Sequence, residues 1–228
     1  KSTFIMGHCQ PRVQAKALYH LQFLKSIGYD YHETIKFNDR SNEELNLPND
    51  INSLEDIVKN CHLCQLSKYR ANVLYGNGNS SARVMFIGDE PTISEDEMGE
   101  FYVGRSGDML KKMIENAIGI SINDVYITNI VKCRTSHNII TADEANSCSS
   151  YLDKQIELIK PELIVILGEV AYEFLVHDSE FSKTRGQIIN NDGKNIIATF
   201  HPNYLLRNPS VKKEAYYDML KIKAFLER

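Results

Sequence analysis

The chain has 228 residues and a formal net charge of −4, from 26 basic and 30 acidic side chains. Hydrophobic residues make up 43% of it and charged residues 25%, which is ordinary for a globular protein with a sizeable core. Its apolar runs fall short of the roughly 20 residues of a membrane span, and the N-terminus lacks the apolar segment of a signal peptide. The slight negative charge excludes a general polyanion binder but permits a local basic patch.

Residues 1–50 are predicted to form an N-terminal helical extension, ahead of a main domain over residues 51–228. An amphipathic helix is predicted over residues 12–27, and a loop rich in Asn and Asp follows it. A short helix is then predicted to begin at Ser53, because Ser53 and Asp56 have the spacing of a capping box.

Strands and helices alternate along the main domain. Strands are predicted at residues 83–88, 125–129, 163–168 and 195–199, and helices at 106–117, 141–159, 170–175 and 212–226. The strand at 163–168 is apolar throughout, which is typical of a parallel sheet covered on both faces. The alternation predicts an α/β fold, a three-layer α/β/α sandwich around a central, mostly parallel sheet, with the N-terminal helical extension added to it.

Four of the five cysteines have a spacing that indicates a metal centre. Cys61 and Cys64 form a C-x-x-C pair, and Cys133 and Cys148 form a wider pair. A C-x-x-C places two thiolates on one tight turn, close enough to share a metal centre. The long, uneven spacing of the second pair is typical of iron–sulfur proteins whose ligands come from separate elements. Cys9 is interpreted as a bystander.

Three other interpretations of these cysteines stay open on spacing alone. A structural zinc site usually repeats the short spacing in its second half, and this chain does not repeat it. Disulfides are disfavoured by the odd number of cysteines and by the lack of a secretory segment. Unrelated core cysteines are the third alternative, because free Cys is often buried. Thiol-based metal ligation without an export signal predicts a cytoplasmic protein.

Polar motifs follow three of the predicted strands, at the edge where an α/β fold places its site. These motifs are Gly88-Asp89-Glu90-Pro91, the segment 129–133, and His201-Pro202. Two further motifs are the segment 99–107, with sequence GEFYVGRSG, and Arg185-Gly186.

Together these motifs resemble the family 4 uracil-DNA glycosylases, the iron–sulfur branch of the uracil glycosylase superfamily. The resemblance covers roughly residues 61–228 and includes all four paired cysteines. It implies an enzyme of base excision repair that flips uracil out of DNA, hydrolyses its N-glycosidic bond, and leaves an abasic site. It also implies a [4Fe–4S] cluster on Cys61, Cys64, Cys133 and Cys148. The implied partner is single- or double-stranded uracil-containing DNA, bound by a monomeric, nucleoid-associated protein.

The reaction and the resemblance together predict roles for individual residues. As uracil leaves, the base gains negative charge and the sugar gains positive charge. We expect His201 to stabilise the leaving base, and Asp89 or Glu90 to support the sugar cation or the attacking water. Tyr102 is expected to stack on the uracil ring and Asn129 to bind its edge. The predicted uracil-binding set is Gly88, Asp89, Glu90, Tyr102, Asn129 and His201, and the predicted DNA-binding set is Arg105, Ser106, Lys132, Arg134, Arg185 and Arg207.

This chain departs from the family pattern in its first motif, which is usually Gly-Glu-Ala-Pro-Gly. Asp89 replaces the Glu, Glu90 the Ala and Thr92 the second Gly. Glu90 precedes Pro91 directly, where family 1 enzymes carry a water-orienting Asp. Which of the two carboxylates acts therefore stays open. Tyr102 also stands where the family usually has Phe, so its hydroxyl needs a partner.

Two rival functions remain. A relative that captures the sugar covalently would use a His on a loop, and His137 lies in the loop after Cys133. That loop lacks the basic run of the covalent branch. The other rival is a non-catalytic iron–sulfur or zinc module that binds DNA. Release of free uracil separates all three functions.

Overall fold

The computed structural model describes residues 47–136, 139–176 and 180–228. The helix predicted at residues 12–27 and His137 of the covalent alternative lie outside these ranges. One compact unit spans Leu45–Arg228, and the predicted division at residue 50 stays a prediction. Among the described residues, no helix is both long enough and apolar enough to cross a bilayer.

Every helix and strand that the sequence predicts within the described residues is present, and further short elements lie between them. The helices are α1 (Ile51–Lys59), α2 (Ile93–Met98), α3 (Gly104–Lys112), α4 (Ala142–Ile159), α5 (Glu169–Leu175), α6 (Phe181–Thr184), α7 (Pro202–Arg207) and α8 (Lys212–Leu226). A π-helical segment, Met113–Ile118, continues α3. The strands are β1 (Asn77–Gly78), β2 (Val84–Gly88), β3 (Tyr126–Asn129), β4 (Leu163–Leu167), β5 (Ile188–Asn191) and β6 (Lys194–Thr199).

The strands form one sheet in the order β1-β3-β2-β4-β6-β5. The four inner strands pair in parallel, and β1 and β5 pair antiparallel at the two edges. β2 and β4 are buried along their whole length, which explains why their sequences are apolar without alternation. The predicted mostly parallel sheet is therefore confirmed.

Helices cover both faces of the sheet. Alternate residues of β2 and β4 point to opposite sides: Phe86 and Val165 pack with the π-helical segment, α7 and α8. Ile87 and Ile166 pack with α4 and α5 on the other side. This arrangement is the predicted three-layer α/β/α sandwich.

Helix starts were predicted with mixed success. Thr141 and Glu144 form the predicted capping box of α4. The predicted start of α1 at Ser53 is wrong, because Asp50 caps the helix and its Oδ1 accepts the Ser53 N–H at 2.7 Å. Asp and Ser cap helices about equally well, so the sequence alone did not choose between the two positions.

The parallel strands end along one edge of the sheet, which sets the position of the site. Gly88 at the end of β2 pairs in register with Asn129 at the end of β3, and His201 follows the end of β6. A Cβ atom on Gly88 would come within 2.5 Å of the Asn129 Oδ1. Glycine at this position therefore leaves room for the Asn129 side chain.

Candidate active site and cysteine centre

A pocket opens at the carboxyl edge of the sheet, where the sequence predicts the site. The empty space of the pocket, including the open solvent at its mouth, is about 410 Å³. The residues that line it include Gly88, Glu90, Tyr102, Asn129 and His201. Five of the six predicted uracil-binding residues therefore share one concave surface, which is the expected shape of a small-ligand site.

The His201 ring is anchored by a hydrogen bond at Nδ1 and has a carboxylate close to Nε2. It caps the N-terminus of α7, and its Nδ1 accepts the backbone N–H of Asn203 at 3.1 Å. A neutral imidazole has one N–H, so this hydrogen bond assigns the proton to Nε2. Nε2 lies 3.4 Å from Oδ1 of Asp89. The hydrogen bond at Nδ1 therefore orients the ring before any substrate binds.

Asp89 and Glu90 occupy different surroundings although they are adjacent in sequence. Asp89 lies beside His201, and its Oδ1 also accepts the Glu90 backbone N–H at 2.8 Å. Glu90 lines the pocket, and its Oε2 accepts the Thr135 backbone N–H at 2.6 Å. Burial raises the pKa of Glu90 above its ordinary value, although the hydrogen bonds with Thr135 oppose that shift. Raised carboxyl pKa values are typical of groups that exchange protons during catalysis.

Tyr102 has a left-handed backbone conformation that its neighbours stabilise. Its φ is 66°, which is uncommon for a residue with a bulky side chain. Its N–H donates to Oε1 of Glu95 at 3.1 Å, while Oε2 of Glu95 accepts the N–H of Thr92 in the capping box of α2. A Cβ atom on Gly107 would come within 2.2 Å of the Tyr102 carbonyl carbon. Glu95 and Gly107 thus accommodate the backbone conformation that places Tyr102 at the pocket.

The Tyr102 hydroxyl has no hydrogen-bond partner among the described residues, although it is buried. Burial raises its pKa, so the hydroxyl stays protonated.

The role of Glu95 was not predicted from the sequence. The capping-box spacing of Thr92 and Glu95, seven residues before Tyr102, is the signal that points to it.

The four paired cysteines line a second cavity. Cys61 follows α1, Cys64 precedes a short 3₁₀ turn, Cys133 lies in the loop after β3, and Cys148 lies in α4. The cavity, counted with the solvent at its opening, has a volume of about 350 Å³. Among the described residues, no three Cys, His, Asp or Glu side chains converge on a site for one metal ion. The four thiols instead border a common, larger space.

The surroundings of these sulfur atoms fit bound thiolates. The Leu63 N–H donates to Cys61 Sγ at 3.5 Å, and the Arg70 guanidinium donates to Cys133 Sγ at 3.1 Å. Burial raises the pKa of the Cys133 thiol to about 11 and also raises the pKa of Cys148, while the positive charges of Arg70 and Lys132 oppose these two shifts. Hydrogen bonds to sulfur and a nearby cation stabilise the anionic ligands of an iron–sulfur cluster. The donor set therefore fits the cluster that the resemblance implies.

Residues 75–221 match the family model of the uracil DNA glycosylase superfamily. Three curated relatives carry the name type-4 uracil-DNA glycosylase. The Thermotoga maritima protein is 41% identical, over 75% of this chain and 92% of its own. The Saccharolobus solfataricus protein is 38% identical, over 76% and 85%, and the Archaeoglobus fulgidus protein is 38% identical, over 75% and 92%. This chain belongs to the type-4 uracil-DNA glycosylase family.

Two of the DNA contacts that the family resemblance suggested conflict with the structure. Lys132 is 1% exposed, and its Nζ donates to Thr128 Oγ1 at 2.7 Å and to the Asn129 carbonyl at 2.6 Å. An ammonium buried in this way is not open to a phosphate, which argues against the predicted contact of Lys132 with DNA. Its charge instead lies beside Cys133 and Cys148. Lys132 thus links the cysteine centre to Asn129, which lines the pocket at the edge of the sheet.

The Arg185 guanidinium also makes its contacts within the protein. Its guanidinium bonds to Asp218 Oδ2 and to Glu214 Oε2, each at 2.6 Å, and lies 4.5 Å over the ring of Phe200. Asp218 also accepts the Thr199 hydroxyl at 2.8 Å. These contacts argue against Arg185 as a DNA contact. They hold the end of β6 in place directly before His201.

The remaining predicted DNA contacts lie near the pocket or on the surface. Ser106 lines the pocket itself. Arg105 and Arg207 are exposed and Arg134 is half-buried. The helices that carry Arg105 and Arg207, α3 and α7, pack against each other. These two cations therefore lie on neighbouring helices.

Proposed function

We propose that this protein is a uracil-DNA glycosylase that hydrolyses the N-glycosidic bond of uracil in DNA, releases free uracil and leaves an abasic site. The observation that carries this proposal is the single pocket that joins Glu90, Tyr102, Asn129 and His201 at the carboxyl edge of the sheet. The family membership supports it, because the curated relatives are named type-4 uracil-DNA glycosylases. In this account the protein acts in base excision repair.

His201 stabilises the leaving base. When the glycosidic bond breaks, its electron pair stays with uracil and the base becomes an anion. The Nε2–H of the neutral imidazole donates a hydrogen bond to the charged carbonyl oxygen. Because the ring is already held by Asn203, with Asp89 beside it, little reorganisation is needed as the charge develops.

Glu90 supports the sugar side of the reaction. It is the carboxylate that lines the pocket, so its negative charge offsets the developing sugar cation. As water forms its bond to the anomeric carbon, Glu90 accepts the proton that the water loses. Asp89 then acts through His201, as a positioning residue.

Tyr102 and Asn129 recognise the flipped base. The aromatic ring of Tyr102 offers a stacking surface, and the Asn129 amide offers one donor and one acceptor group to the base edge. Uracil and cytosine differ in the donors and acceptors of that edge. An amide held at the end of β3 and facing Gly88 therefore suits discrimination between the two bases.

The four cysteines are proposed to hold a [4Fe–4S] cluster. When bound, it supplies a covalent cross-link among the segment after α1, the loop after β3 and helix α4. Arg70 and Lys132 carry positive charge beside it. Arg105, Arg134 and Arg207 are proposed to bind DNA phosphates, and a monomeric protein of the cytoplasm and nucleoid remains our prediction.

The test is release of free uracil from oligonucleotides by protein purified without oxygen. Single-stranded and duplex substrates with one uracil should both be assayed, with a matched cytosine oligonucleotide as control. Multiple turnovers with free uracil and an abasic product support the proposal. A stable protein–DNA adduct indicates the covalent alternative, and DNA binding without either product indicates a non-catalytic module.

A further inference from the structure

Tyr204 is an exposed aromatic residue close to the proposed leaving-group stabiliser. It is 47% exposed, and it lies in α7, the helix that His201 caps. An α-helix rises about 1.5 Å per residue, so three residues separate the two positions by about 5 Å along the helix axis. The proposed chemistry assigns no role to Tyr204.

The Tyr204 ring is supported from within the protein. It stacks on Phe200, with ring centroids 5.4 Å apart and planes inclined by 13°. Phe200 in turn packs edge-on against Phe181, with ring centroids 6.2 Å apart. The Arg185 guanidinium carbon lies 4.5 Å from the centroid of the Phe200 ring. This packing limits the motion of Tyr204 and leaves nearly half of its surface open to solvent.

Arg207 lies next to Tyr204 on the surface of α7. Residues three apart on a helix are neighbours on the same face, and both side chains are exposed. In the part of the chain that the structure describes, Arg207 takes part in no salt bridge. An open aromatic face beside an unpaired cation is the pattern with which proteins bind a nucleotide of single-stranded DNA.

We propose that Tyr204 and Arg207 form a subsite for the nucleotide next to the flipped uracil. Its base stacks on the Tyr204 ring, and its phosphate pairs with the Arg207 guanidinium. The inference rests on the proposed glycosylase function, because uracil in the pocket fixes which nucleotide reaches this surface. Stacking tolerates any base, so the subsite adds affinity without sequence preference.

The protein side of the test is single-turnover uracil release from single-stranded DNA, measured against protein concentration. Loss of one base–aromatic stack raises the half-saturating concentration of Tyr204→Ala by about 5- to 150-fold. The maximal rate stays near that of the parent, because the pocket is unchanged. Tyr204→Phe keeps the parental value. Tyr216→Ala is the matched control, since Tyr216 on α8 is 49% exposed and has no proposed role.

The DNA side uses two further substrates, in which an abasic spacer replaces the nucleotide on the 5′ or the 3′ side of uracil. With the spacer at the contacted side, Tyr204→Ala and the parent should bind with the same affinity. With the spacer at the other side, the full difference should remain. If Tyr204→Ala fails to fold, Tyr204→Leu, which keeps an apolar contact with Phe200, takes its place.

Two results overturn the subsite. In the first, Tyr204→Ala binds and cleaves like the parent. In the second, its defect has the same size on the intact substrate and on both spacer substrates, which identifies Tyr204 as a purely structural support for Phe200. Failure of the glycosylase proposal looks different, because the parental protein itself then releases no uracil from any substrate.

Discussion

Asp89 Oδ1 lies 3.4 Å from Nε2 of His201, on the side of the imidazole that faces the pocket. The opposite nitrogen is occupied by the backbone N–H of Asn203. The carboxylate therefore lies close to the only N–H that the neutral ring can donate. Glu90, the next residue, turns instead toward Thr135 and lines the pocket. The structure thus separates two acidic residues whose roles the sequence left open.

This separation predicts unequal effects of Asp89→Asn and Glu90→Gln. We expect Glu90→Gln to slow single-turnover cleavage by about a hundredfold or more, the usual contribution of a general acid–base group. Asp89→Asn should have a smaller effect, because the amide still fits beside His201. Circular dichroism should show that both variants are folded. Full activity in both single variants and in the double variant would show that this loop plays no part in the reaction.

The pH dependence of cleavage should report Glu90. Burial, and to a lesser degree the charge of Asp89, raises its pKa above the ordinary value of 4.5. Because the ionised form is the active one, activity should fall as the pH is lowered through this raised pKa. In a plot of cleavage rate against pH, the fall in rate on the acidic side should therefore lie above pH 4.5 for the parent. This fall should be absent for Glu90→Gln. An identical fall in the parent and the variant would assign it to another group.

The same pKa shift has a consequence for stability with the opposite sign. The folded protein holds the Glu90 proton more tightly than the unfolded chain does. The contribution of Glu90 to stability is therefore largest below the unfolded pKa and declines as the pH rises through the folded pKa. Chemical denaturation at several pH values should show a smaller decline for Glu90→Gln across that window.

Asp218 should matter for both folding and cleavage, because it links Arg185 to Thr199 before His201. Asp218→Asn removes the negative charge that pairs with the half-buried Arg185 guanidinium, and hydrogen bonds to charged groups contribute about 1.5–3 kcal/mol to the unfolding free energy. Glu214→Gln is the matched control: it bonds to the same arginine, but its side chain is 52% exposed and that of Asp218 is 4% exposed. Exposed ion pairs contribute at most about 1 kcal/mol.

The measurement for Asp218 combines urea unfolding with single-turnover cleavage. Asp218→Asn should lower both the stability and the maximal rate, with DNA affinity nearly unchanged. Glu214→Gln should stay close to the parent in all three. Equal, small effects of the two substitutions would contradict a positioning role for this network.

The cysteine centre predicts the metal content. Protein purified without oxygen should be brown and contain iron and acid-labile sulfide, and Cys148→Ser should lose most of both. Cys9→Ser is the control and should keep them, since the four cavity-lining thiols suffice as ligands. Colourless, folded protein with stoichiometric zinc and no sulfide would contradict the cluster.

The sheet and much of the pocket were predictable because their signals are local. The apolar runs of β2 and β4 indicate buried parallel strands. Gly88, Asn129 and His201 then follow from the rule that sites lie at the carboxyl ends of such strands. Each of these residues lies within two positions of a strand end.

The burial of Lys132 and the ion pairs of Arg185 were not predictable, because both depend on tertiary packing that the local sequence does not reveal. Lys132 and Arg185 resemble surface cations when only their neighbours are considered. The burial of Lys132 depends on the packing around β3, and Arg185 meets Asp218 33 residues away. The left-handed backbone of Tyr102 likewise depends on Glu95 and Gly107, and no residue preference signals it.

Single-turnover release of uracil from single-stranded DNA by the parent and by His201→Ala tests the central claim most directly, with DNA affinity measured for both proteins. We predict free uracil from the parent, and a cleavage rate lower by on the order of a hundredfold or more in the variant. DNA affinity and iron content should be nearly unchanged, because no cysteine is altered. Parental cleavage by His201→Ala, or a loss only in proportion to weaker binding, would contradict His201 as the residue that stabilises the departing base.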